Sequence, residues 1–131
     1  MNHLDIVKLA VNLAEDVQNK DEAYLRNIVG RSYYGAYHQA VMILEYKLQW
    51  PASPEKHGVH EKVVSRLENY PENLSRDEIK FIEQLKDDLI RIKKKRGKAD
   101  YRLQSEVTKA EALYVHKLAL RLIRNLEKLV S

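Results

Sequence analysis

The chain has no cysteine. That excludes a disulfide framework, a thiol nucleophile and any zinc site built on thiolates. Four glycines and three prolines leave little room for a turn-rich β architecture. No apolar run approaches the roughly 20 residues that a membrane span needs. The opening Met1-Asn2-His3-Leu4-Asp5 lacks the basic segment and long apolar core of a secretion signal. The expectation is a cytoplasmic protein with no membrane partner. There is also no glycine-rich phosphate loop, no Gly-x-Ser-x-Gly elbow and no dinucleotide fingerprint, so no cofactor is expected.

What is present is charge and helical periodicity. Twenty-three Lys and Arg stand against nineteen Asp and Glu, a formal net charge of +4. A sequence pI near 9.2 suits a polyanion partner only if the excess is clustered. At 131 residues the chain is expected to be one domain with a real core.

The chain is organised around one long helix, expected from Asp21 to Trp50. No proline interrupts it, and it would span roughly 45 Å at 1.5 Å per residue. Its middle, Arg31-Ser32-Tyr33-Tyr34-Gly35-Ala36-Tyr37-His38, is apolar or aromatic on almost every face, which predicts burial nearly all round. Arg31, Tyr34 and His38 share one face. Gly30, Ser32, Gly35 and Ala36 are small enough to let a neighbouring helix approach closely. Trp50-Pro51 should stop the helix, because proline disfavours helix in the residue before it.

An earlier helix is expected from about Leu4 to Asn19, with Ile6, Ala10, Leu13 and Val17 on one stripe. Asp21 is a good N-cap for the central helix. After the loop Pro51 to Gly58, a short helix should run from about Val59 to Asn69. Ser75-Arg76-Asp77-Glu78 is a capping box that opens a fourth helix, with Ile82, Leu85, Leu89 and Ile92 as its seam. Gly97 is expected to end that helix as a C′ residue. Thr108-Lys109-Ala110-Glu111 is a second capping box, opening a last helix to about Leu129. The expected fold is therefore all-α, an up-and-down helical bundle of four long helices plus one short helix.

Two clusters carry chemistry. An imidazole at His38 can move protons near neutral pH, and a guanidinium at Arg31 can hold a phosphate through two hydrogen bonds. The plainer alternative is a packed helix in which His and Tyr satisfy each other. In the run Arg91 to Lys98, six of eight residues are cationic. Lys93, Lys94, Lys95 and Lys98 there could attract an RNA backbone without reading its sequence. The alternative is a helix end that favours cations for its dipole. Tyr34 and its neighbours could stack bases, or belong to the core. His57 and His60 are three apart, and His38 or Glu61 could join them as metal ligands. A solvated pair at a helix start explains them better than a metal, so no metal is expected.

The stretch Arg31 to His38, together with Arg96-Gly97-Lys98-Ala99-Asp100-Tyr101, resembles the HEPN superfamily of small helical bundles. His57-Gly58 and the helix order are similar too, so the likeness covers most of the chain. The resemblance implies an RNA-binding homodimer. Many members are metal-independent endoribonucleases of toxin–antitoxin or phage-defence systems, often encoded beside a nucleotidyltransferase partner. It also implies site residues here: Arg31 and Arg96 to hold phosphate, His38 to transfer a proton, Asp100 and Tyr101 to orient groups. The family's defining Arg-x(4–6)-His is altered, because after Arg96 and four intervening residues the chain has Tyr101. Neutral Tyr is a poor base, with pKa near 10. The literal match is Arg31 to His38, on the earlier helix. Either these residues complete one site, or the domain is a catalytically inactive module that binds RNA, a nucleotide or a nucleotidyltransferase. A structural scaffold is the third alternative.

Overall fold

The computed structural model describes residues 22–101 and 107–131, with residues 100 and 101 described by their backbone alone. They form an all-α bundle of α1 (Glu22–Val41), α2 (Val59–Glu68), α3 (Arg76–Tyr101) and α4 (Lys109–Lys128). The helix expected over residues 4–19 and the cap expected at residue 21 lie outside the described residues. Among the described residues no helix is long and apolar enough to cross a membrane.

Pairs at both ends of the helices set their directions. Glu22 meets Val107 and Gln39 meets Glu127, so α1 and α4 run parallel. Asp88 meets Arg121 and Lys98 meets Glu111, so α3 runs against α4. The α1–α4 contact is the most extensive in the bundle. Small residues make it close: Ser32, Ala36 and Ala40 on α1 and Ala112 and Ala119 on α4 are fully buried. Leu25, Ile28 and Ile43 belong to the same buried core as the seam of α3. That seam is Ile82, Leu85, Leu89 and Ile92, all buried, at the spacing that puts one stripe on the core.

The caps follow local chemistry. Ser75 Oγ accepts from Glu78 N–H at 3.1 Å, and Glu78 Oε1 accepts from Ser75 N–H at 3.1 Å. At α4 only half of the box forms. Thr108 Oγ1 accepts from Glu111 N–H, while the Glu111 carboxylate turns to Lys98 Nζ at 3.0 Å. An ion pair to a neighbouring helix outcompetes the local cap.

Three expectations are corrected. The central helix does not reach Trp50. Its α-helical part ends at Val41, and Met42–Lys47 continue as a π-helical segment. The Leu48 amide reaches Ile43 O at 2.8 Å, and Gln49 turns out with φ of 55°. The widened turn and the left-handed residue bring Trp50 back to the core, where it is 9% exposed. Nor is the central helix covered all round: Tyr34 is 53% and Tyr46 65% exposed. Finally, Gly97 does not end α3, which continues through it to Tyr101.

Gly97 lies inside a helix with φ outside the left-handed region, and a Cβ there would meet nothing within 4 Å. Neither a turn nor a close neighbour requires glycine. Gly97→Ala should therefore stabilise the fold by about 0.5–1 kcal/mol. Thermal melting should show a rise of a few degrees, and a fall would show that this turn must bend.

Candidate functional site

Side chains of α1 and α3 converge on a cavity of about 340 Å³, lined by Arg26, Asn27, Gly30, Arg31, Tyr33, Tyr34 and Arg96. Arg31 and Arg96 are distant in sequence but share this wall. Arg31 and Tyr34 lie one turn apart on the outer side of α1, both exposed. Arg96 reaches across from α3 and lays its guanidinium over the Tyr33 ring, 4.7 Å from the centroid. That geometry is a cation–π contact.

Arg26 was not singled out by sequence. It donates to the carbonyls of Ala99 and, at 3.3 Å, Lys98, and to Glu22 Oε1 at 2.9 Å. Those carbonyls belong to the last turn of α3, which has no helical donor ahead of it. A lone Arg carries little signal, but Arg26, Gly30 and Tyr33 share a helical face, and that spacing could have found it.

His38 lies one turn past Tyr34. Their ring centroids are 4.0 Å apart at 51°, and Tyr37 meets the His38 ring edge-on at 5.5 Å. His38 is half-buried and does not line the cavity itself. The backbone places Asp100 and Tyr101 in the last turn of α3, beside the carbonyls that Arg26 holds. Their side chains lie outside the described residues.

The basic run does not form one edge. Because it is helical, its members point to different sides. Lys93 and Lys94 line a second cavity of about 420 Å³ with Lys56, His60, Val64 and Ile90. Lys95 lies 5.8 Å over the Tyr114 ring, and Lys98 pairs with Glu111. Arg96 alone of the run lines the Arg31 cavity.

His60 sits between the two cavities. Its Nδ1 is 3.2 Å from the Tyr33 hydroxyl. Burial, then the charges of Lys93 and Arg96, push its pKa down to about 4. Tyr37 is raised, chiefly by burial and then by Tyr33. His57 is exposed, and among the described residues no three His, Asp or Glu side chains gather as a metal would need.

No family model, curated protein or solved structure matches the chain.

The histidines give the fold a pH dependence. His60 and the buried His116 both have pKa values near 4, in each case with burial as the largest cause. In the unfolded chain both return to about 6.5. Between these values the unfolded state binds more protons, so this stabilisation is full above about pH 6.5 and fades as pH falls toward 4. The melting temperature should drop by several degrees from about pH 7 to pH 5. Replacing His60 and His116 with Gln should flatten that slope. An equally steep slope in the double variant would place the titration elsewhere.

Proposed function

We propose that the chain is a HEPN-like, RNA-binding domain of the cytoplasm, acting as a metal-independent endoribonuclease in a toxin–antitoxin or phage-defence system. The observation that carries this reading is the convergence of Arg31 and Arg96, from two helices, on one tyrosine-lined cavity. The exposed Arg31 and the half-buried Arg26 and Arg96 around a concave surface, with no carboxylate among the described residues of its lining, suit a phosphate group. Tyr34 offers a half-open ring on which a base can stack.

In the chemistry proposed, the ribose 2′-oxygen attacks the adjacent phosphorus and the bond to the 5′-oxygen breaks. The products are a 2′,3′-cyclic phosphate and a 5′-hydroxyl. The 2′-hydroxyl proton leaves to a base and the departing oxygen gains one. His38, packed on Tyr34, is the group assigned to that exchange, and the arginines hold the phosphoryl oxygens as charge builds.

The exposed side of α1 supports a homodimer. Tyr24, Arg31 and Tyr34 are exposed on α1, and Met42 and Tyr46 are exposed on the π-helical segment that continues it. A second copy on this face would bring two sets of site groups into one cleft. Sedimentation at micromolar concentration should give twice the 15.4 kDa of one chain. A monomer throughout that range would remove the shared cleft.

The test of the activity is cleavage of labelled RNA by the pure chain in excess EDTA. His38→Ala should slow cleavage by about 10²–10⁴-fold with binding little changed. Arg31→Gln should weaken binding and cleavage together, because a phosphate clamp acts in ground and transition states alike. A folded His38→Ala that cuts at full rate moves the chemistry to Arg96 and residues 100–101.

One observation favours a second reading, a module that binds RNA or a nucleotidyltransferase without cutting. His38 stands beside the cavity rather than in its lining. Wild-type protein that binds RNA and never cuts it would establish that reading.

A further inference from the structure

Four cations on α4, Lys117, Arg121, Arg124 and Lys128, are spaced four, three and four residues apart and are all exposed. That spacing keeps them on one face over about 16 Å of helix. With Leu120 and Asn125 they line a cavity of about 280 Å³. The only acidic residue between Lys117 and Lys128 is Glu127, which accepts from Gln39 of α1.

Arg121 is not a loose surface side chain. Its Nη2 donates to Asp88 Oδ1 at 2.9 Å and its Nε to Asp88 Oδ2 at 3.2 Å. Asp88 is fully buried, accepts from Gln84 at 2.9 Å as well, and lies 4.0 Å from Arg91 Nη1. Burying a carboxylate is costly, and such pairs contribute little net stability. Here the arrangement fixes the direction of a guanidinium that remains 53% exposed. Two arginines face this one carboxylate, so the ridge keeps a positive excess.

We propose that this ridge, extended by Arg91 from α3, is a second binding surface for the phosphate backbone of RNA. It lies on the α3–α4 seam, whereas the Arg31 cavity lies between α1 and α3. Two simpler accounts of the cations fall short. Helix-dipole preference places cations in the last turn, and Lys117 and Arg121 are in the middle of α4. A face that served solvation alone would not need a buried carboxylate to hold one of its arginines. Contacts of this kind position a strand without reading bases. The ridge would retain a long RNA while the Arg31 cavity engages one phosphate. The RNA ligand is shared with the proposed function, but the residues are separate.

The test uses the full chain and a fluorescent, cleavage-resistant 2′-O-methyl oligouridine, with anisotropy measured between about 50 and 200 mM salt. The variant Lys117→Gln/Arg124→Gln/Lys128→Gln leaves the Asp88–Arg121 pair intact and so removes no buried partner. It should flatten the log–log salt slope by about 2, at about 0.7 per lost single-strand contact, and weaken binding about tenfold. Circular dichroism should show an unchanged fold, and Arg31→Gln serves as the parallel arm. If Arg31→Gln loses affinity while the triple variant keeps wild-type affinity and slope, the ridge is overturned and the cavity stands. If the triple variant loses affinity and Arg31→Gln does not, the ridge stands and the cavity reading fails. Wild type that does not bind overturns both. Phosphatidylserine vesicles are the last arm. Loss of vesicle binding in the triple variant, with RNA binding untouched, would assign the ridge to a membrane surface and defeat the proposal.

Discussion

Arg26 ties three helix ends together, and the site depends on that tie. Its guanidinium satisfies carbonyls in the last turn of α3, and its partner Glu22 accepts from the Val107 amide just before α4. The backbone hydrogen bond, with the bond to Arg26, holds the Glu22 carboxyl below its ordinary pKa. One side-chain pair at the start of α1 thus supplies donors and acceptors that helix ends lack. It also fixes the rotation of α3 about its own axis. That rotation aims Arg96 at Tyr33 and places the backbone of residues 100–101 next to α1.

A wall built from Arg26, Arg31 and Arg96 is electrostatically uphill without compensation. Glu22 offsets Arg26, and the Tyr33 face offsets Arg96. Arg31 is the member most open to solvent and has no ion pair among the described residues. The positive potential is felt nearby, since Lys93 and Arg96 add to burial in disfavouring the charged form of His60. An anion placed at the wall would relieve the remaining repulsion. That is the physical reason for reading it as a phosphate site rather than as a stabilising cluster.

Much of the bundle was legible because its signals are local. The Ser75–Glu78 box and the seam of α3 need only neighbours within a turn. The π-helical segment was not legible, because it answers the burial of Trp50, a tertiary demand. Gly97 misled because a glycine after a basic turn usually ends a helix, whereas here Arg26 caps the turn beyond it. The basic run divides among different neighbours for a geometric reason. Consecutive residues on a helix are about 100° apart, so adjacent cations diverge around the axis. Cations at spacings of three and four converge, as Lys117, Arg121, Arg124 and Lys128 do on α4. The convergence of Arg31 with Arg96 could be expected from resemblance but not from spacing, since nothing within either stretch records which helices pack.

The same geometry narrows which group can move protons. His60 is linked to the cavity through Tyr33 and would otherwise compete with His38 for the role. With a pKa near 4 it is neutral at pH 7, so it has no proton to give a departing alkoxide as an imidazolium would. Its burial also leaves it facing the Tyr33 hydroxyl rather than the open side of the cavity. His60 therefore orients Tyr33, and Tyr33 in turn carries Arg96 on its ring. In the proposed reaction His60 would act through Arg96 and not on the reacting atoms. His60 and His38 are both half-buried and each packs on a cavity-lining ring, Tyr33 and Tyr34 respectively, but the Tyr33 ring is buried and the Tyr34 ring beside His38 is exposed. A functioning site built on this wall would place the proton on His38 or on residues 100–101, at the other end of the clamp.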